Sequence, residues 1–197
     1  MKRYLIASVC ATALVGLAAC GDQTNNPGQS DAVNAAQDAT SAVVGQTSAA
    51  TIGANTLSGY VNGAAIGDMY EIEAGRIAQE RGVSAGVRSL GEMLVSDHTA
   101  SSERLAGLAR AAGETVPAEM DERRKGLLDN LRAAQGAEFD RVFAEQQVAA
   151  HQEALTLHEG YADSGDNAQL VAFARESAPK LRAHLERAQA LETATAQ

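Results

Sequence analysis

Along the second half of the chain, apolar residues recur at alternating intervals of three and four, the spacing of one face of an α-helix. The clearest stripe runs Val87, Leu90, Leu94, His98, Ser101, Leu105, Leu108, Ala112. A histidine stands in it where the pattern asks for leucine. From about Thr56 onward the whole chain reads as helical, with no run of alternating β-branched residues. The stripes and their punctuation predict helices over about 56–81, 84–113, 117–135, 137–164 and 167–193. Ser84 and Asp166 or Asn167 serve as caps, and Gly82, Gly113 and Gly165 as stops. Pro179 falls inside the last pattern, where a kink or a freed carbonyl is expected. Four long helices, one additional short one and short joints predict an all-α antiparallel four-helix bundle over residues 56–197. That is long enough to bury one sizeable core.

The faces that should turn inward are not purely apolar. On the first helix Leu57, Val61, Ala64, Ile72 and Ala78 share a face with Asp68 and Glu71. On the fourth, Phe139, Phe143, Ala150, Leu157 and Tyr161 enclose Asp140, Gln147, His151 and His158. On the last, His184 stands among Leu170, Phe173, Leu181, Leu185 and Ala188. All four histidines of the chain therefore land on apolar faces. A buried polar group left without a partner costs ~1–3 kcal/mol, so these groups are expected to meet one another.

Two arrangements satisfy them: a metal-free polar network, which is the simpler reading, or a metal ion. Imidazole and carboxylate ligands suit zinc, iron, manganese or copper, and bundles build such sites from facing helices. The candidate ligands of a mononuclear divalent metal site are Glu71, His98, His151 and His184. Asp68, Asp97, Asp140, Gln147 and His158 are candidates for a supporting shell or network. A di-iron carboxylate centre is not expected, because its Glu-x-x-His motif is missing. The residues three before the histidines are Val95, Val148, Leu155 and Leu181. Asp97 beside His98 either orients that imidazole or, the simpler reading, points to solvent.

The N-terminal third differs. Lys2 and Arg3 precede a short apolar run, then Leu17-Ala18-Ala19-Cys20 and Gly21. This order is that of a signal peptide ending in a bacterial lipobox, with Cys20 the site of lipidation. The expected location is the cell envelope, lipid-anchored at the outer membrane with the domain in the periplasm: resemblance to enterobacterial lipoproteins implies inner-membrane retention for an Asp directly after the cysteine, and here Asp22 lies one place later. Residues 21–55 are rich in Ala, Ser, Thr, Asn, Gln and Gly, with few large apolar side chains. They read as a flexible tether with at most a fluctuating helix near 32–44.

Composition narrows the function. Without Lys2 and Arg3 the 16 basic residues become 14, against 25 acidic ones. Such a chain repels nucleic acid and anionic head groups, and the absence of Trp removes base-stacking platforms. Apart from Cys10 in the leader and Cys20 there is no cysteine, hence no disulfide, thiolate site or thiol nucleophile in the domain. No Gly-x-Ser-x-Gly turn or phosphate-binding loop occurs. A hydrolase using a carboxylate and a histidine as acid and base is the weakest reading. The first is a non-enzymatic binding or envelope-maintenance and stress module with a protein or small-molecule partner. The alternative is a metal-binding, redox-capable bundle.

The segments YEIEAGRIAQERG, VRSLGEMLVSDHTASSERLAGLARAAG, EFDRVFAEQQVAAHQEALTLHEGYADSGDN and LVAFARESAPKLRAHLERAQAL resemble the domain of unknown function 4142 family of bacterial envelope proteins. The resemblance covers about Leu57 to Leu191 and implies a ferritin-like bundle. It marks Glu71, Asp97-His98, Phe139-Asp140, Gln147, His151, Pro179 and His184 as characteristic positions. His158 stands where the family more often has an apolar residue, and Phe143 where tyrosine is common. The resemblance implies fold and location but no reaction.

Overall fold

Three of the long helices begin on a residue whose side chain supplies a missing acceptor. The Thr56 hydroxyl accepts from Gly59 N–H (3.1 Å), Ser84 from Val87 (3.2 Å), and the Asn167 side chain from Leu170 (3.1 Å). These caps open α2 (Leu57–Arg81), α3 (Ala85–Ala111) and α6 (Ala168–Thr195). With α1 (Asp31–Ala49), α4 (Glu122–Ala133) and α5 (Ala137–Ser164), they make up the computed structural model, which describes residues 31–195. The described residues contain helices and no strand. Among them no helix is long and apolar enough to cross a membrane. The leader, Cys20 and the first part of the expected tether lie outside the described residues.

α2 packs along α3, and α5 along α6, each pair joined by a short turn. Asp140 ties the pairs together: its carboxylate accepts from the backbone N–H groups of Val83 and Ser84, both at 2.8 Å. α2 also lies against α5, and α3 against α6. Cross-contacts run in opposite sequence directions along every one of these neighbours, as in Tyr70–Gln146 with Tyr60–His158. Neighbouring long helices are therefore antiparallel. α3 and α5 point the same way, and the segment holding α4 carries the chain back between them.

α2 and α3 meet backbone to backbone at one point. A Cβ on Gly75 would lie 2.8 Å from the Gly91 carbonyl oxygen, and one on Gly91 2.7 Å from that of Gly75. Only glycine fits at either position.

Two expectations about the elements need correction. α4 starts at Glu122 rather than at Pro117, because Asp121 caps it by accepting from Arg124 N–H at 2.8 Å. α6 runs through Pro179 as one continuous element, and the proline, lacking an N–H, frees the Arg175 carbonyl. Residues 31–49 are a 19-residue helix seated on α5 and α4, not part of a flexible tether. Asp38 holds it there, accepting from Asn130 Nδ2 and Gln146 Nε2 at 2.7 Å each. Arg123 donates to the Ser41 carbonyl at 3.1 Å.

The apolar core falls into two clusters. One gathers Leu90, Leu94, Leu128, Leu131, Phe139 and Phe143; the other gathers Tyr60, Val61, Leu105, Tyr161, Leu170 and Phe173. Between them each long helix contributes buried polar residues: Asp68 and Glu71, His98, Gln147 and His151, and His184.

Candidate metal centre

In this polar layer three histidine rings from three helices converge. One nitrogen from each of His98, His151 and His184 lies within 4.8 Å of the other two. The rings are buried, with His151 at 0% and His184 at 1% exposure. Their centroids are 5.3–5.8 Å apart: 5.8 Å for His98–His151, 5.5 Å for His98–His184 and 5.3 Å for His151–His184.

The outward nitrogen of each ring faces an acceptor. His98 Nδ1 lies 2.7 Å from Asp68 Oδ1, His151 Nδ1 2.8 Å from the Gln147 carbonyl, and His184 Nε2 2.9 Å from Asp97 Oδ2. A carbonyl or carboxylate oxygen cannot donate, so the proton of each neutral ring sits on the outward nitrogen. Asp97 is ionised: burial opposes it, but Lys180 at 2.8 Å and His184 hold its carboxyl below the usual range. In the neutral rings the inward nitrogens, His98 Nε2, His151 Nε2 and His184 Nδ1, are then lone-pair acceptors. His151 Nε2 and His184 Nδ1 face each other at 3.3 Å, and His98 Nε2 is buried with no hydrogen-bond partner.

For two of the three rings the electrostatics point the same way. Burial, together with the neighbouring His98 and His184, pushes His151 down to about 3. Burial also lowers His184, against the pull of Asp97. For His98 burial is outweighed by the Asp68 hydrogen bond and by the charges of Glu71, Asp68 and Asp97, which raise it. His151 and His184 are thus neutral near neutral pH.

The other expected residues take separate places. Glu71 is not among the converging atoms; its Oε1 lies 3.9 Å from His151 Nδ1, the outward side of that ring. Burial raises its carboxyl to about 7, against the opposing influence of His98 and Gln147. Asp140 is not in the polar layer but clamps the α2–α3 corner. Asp97 orients His184 rather than its neighbour His98. His158 is outside the group, its Nδ1 3.2 Å from the Tyr60 hydroxyl. Asp68 and Gln147 do support the rings, the first through its carboxylate and the second through its main-chain carbonyl.

Comparison with known families decides the relationship. The profile described as domain of unknown function (DUF4142) matches residues 32–191. The chain belongs to this family. The domain of unknown function 4142 match starts at the second residue of α1, so α1 falls within the family's domain. Neither the curated proteins nor the solved structures contain a match.

Sequence reading missed several supporting residues. Lys180 sits one turn before His184 and holds Asp97. Arg124 and Glu153 pair at 2.7 Å beneath α1, beside the layer. The small-residue spacing Ala35, Ala39, Ala42, Ala49 in α1 was the available signal for its packing.

Proposed function

We propose that this protein binds one divalent transition-metal ion through His98 Nε2, His151 Nε2 and His184 Nδ1. The fold behind this reading is a ferritin-like four-helix bundle, held at the cell envelope by a lipid on Cys20. The observation that carries it is the 3.3 Å contact between His151 Nε2 and His184 Nδ1. Two lone pairs face each other there, and reversing either tautomer only moves the clash to the Gln147 carbonyl or the Asp97 carboxylate. A cation between them resolves it. A proton serves two rings at most, whereas a metal serves three and takes up His98 Nε2 as well. Ligands ~2.0–2.1 Å from a tetrahedral centre stand ~3.3–3.4 Å apart, which matches this pair. Each outward N–H meets a carboxylate or a main-chain carbonyl, as metal-bound histidines do.

Three imidazoles suit zinc, copper, iron or nickel. The ferritin-like topology is supported by the single long connection through α4 between the parallel α3 and α5. The role is that of a non-enzymatic, periplasm-facing module in envelope maintenance or stress, with metal binding as its chemistry.

Elemental analysis of the untagged full chain tests the centre. About one metal ion per chain is expected, and none in the His98/His151/His184 triple alanine variant. A native chain that stays metal-free when offered zinc, copper, iron and nickel refutes the reading and leaves a structural polar network. Fractionation tests the anchor: Cys20→Ala should move the protein from the membrane to the soluble fraction. A variant that still sediments with membranes removes the lipid.

A further inference from the structure

We infer that the metal, if held as proposed above, keeps a coordination position open toward a cleft between α3 and α6, and that this position takes a small anion from solution. The inference rests on the proposed centre but concerns a ligand that the centre does not itself supply.

Three observations carry it. Among the described residues no fourth histidine, cysteine or carboxylate oxygen joins the three converging nitrogens. Three protein ligands with a free position is the arrangement of zinc sites that bind exogenous groups.

A cavity of about 300 Å³ reaches the rings from outside, and its walls include both His98 and His184 but not His151. His151 closes the back of the site, so the free position faces the cleft. Since a water molecule occupies ~30 Å³ of liquid, the cavity has room for a ligand of several heavy atoms.

The charges on the cleft walls change sign when the metal arrives. Asp68, Asp97 and Glu176 face it with Arg104 and Lys180, one negative charge in excess. That favours entry of a cation. A divalent ion turns the balance to one positive charge and favours a monoanion. Arg104 pairs with Glu176 at 2.6 Å with both side chains more than half exposed, and such pairs are weak. Arg104 is therefore free to exchange that partner for an incoming carboxylate or inorganic anion.

The test uses the full chain loaded with Cu(II), with metal content checked by elemental analysis, and azide as the probe. A saturable azide-to-copper charge-transfer band is expected at one azide per copper, competed away by formate. Ser177→Trp narrows the cleft and Arg104→Glu reverses a wall charge. Each should retain copper and weaken azide at least tenfold. Stoichiometric copper without an azide band overturns the open position and leaves the metal centre standing. An azide band unmoved in both variants overturns the assignment to this cleft. A chain that binds no copper, zinc, iron or nickel refutes the metal centre and this inference with it.

Discussion

Four histidines are buried in one bundle, yet they meet two kinds of surroundings. His158 lies among the rings of the Tyr60 cluster. Its Nδ1 faces the Tyr60 hydroxyl, and Tyr60 in turn stacks on Tyr161 with centroids 4.0 Å apart. The ring also meets the Ala174 carbonyl, but its Nδ1 faces a hydroxyl, which can donate as well as accept. His98, His151 and His184 have outward partners that only accept. Their tautomers are fixed from outside, and their remaining nitrogens are forced to face one another. Burial and residue type are the same in both regions; the chemistry of the neighbour separates a structural histidine from a candidate ligand.

The largest test of that contrast is a pair of substitutions. His151→Leu should abolish metal uptake measured by elemental analysis. His158→Gln should leave metal content unchanged and cost about 1–3 kcal/mol by denaturant titration, because it disturbs the partner of the buried Tyr60 hydroxyl. Equal metal loss in both variants erases the distinction.

Asp97→Asn probes the outer acceptors. An amide can donate to His184 Nε2 and so shift the ring proton to the inward nitrogen. Metal affinity should fall by about 10- to 100-fold in competition with a chelator. Unchanged affinity shows that the tautomer of His184 is not set from outside.

The pH response of the metal-free protein should show two opposing limbs. Burial pushes His158 down to about 4, against an ordinary 6.5. Between those values the unfolded chain binds the proton and the folded one does not. Stability therefore falls as pH drops from 6.5 to 4, by up to about 3 kcal/mol for a shift of that size. Glu71 acts the other way: raised from 4.5 to about 7, it keeps its proton in the folded state. Its contribution is present below 4.5 and is lost as pH rises through 7. Thermal melts against pH should show a shallower acid limb in His158→Gln and a shallower limb above pH 4.5 in Glu71→Gln. Melts that superimpose on the parent remove these groups from the balance.

Periodicity located the four long helices within a few residues, and placed all four histidines inward. It could not rank them. His151 and His158 are two turns apart on one face of α5, and nothing in their spacing tells that one meets a hydroxyl and the other a second imidazole. For His98 and His184, which nitrogen points inward depends on partners from other helices, such as Asp97 on α3 for His184 on α6. Proximity in the chain misled in the same way at Asp97-His98. α1 was misread because its packing uses small side chains: Gly45 and Ala49 are its buried residues, and Asp38 supplies the polar hold. A helix that packs through alanine and glycine has the composition of a linker.

The contact between Gly75 and Gly91 has a consequence for the histidine cluster two turns away. Asp68 lies seven residues before Gly75 on α2, and His98 lies seven after Gly91 on the antiparallel α3. The place where the two backbones touch and the Asp68–His98 hydrogen bond therefore share a single alignment. Sliding one helix past the other by a turn, ~5.4 Å, would break both together. Glycine inside a helix costs ~1 kcal/mol relative to alanine, so each of these positions gives up helix strength. In return the pair works as a detent: it fixes the tolerance of a distant histidine cluster with two residues that have no side chain.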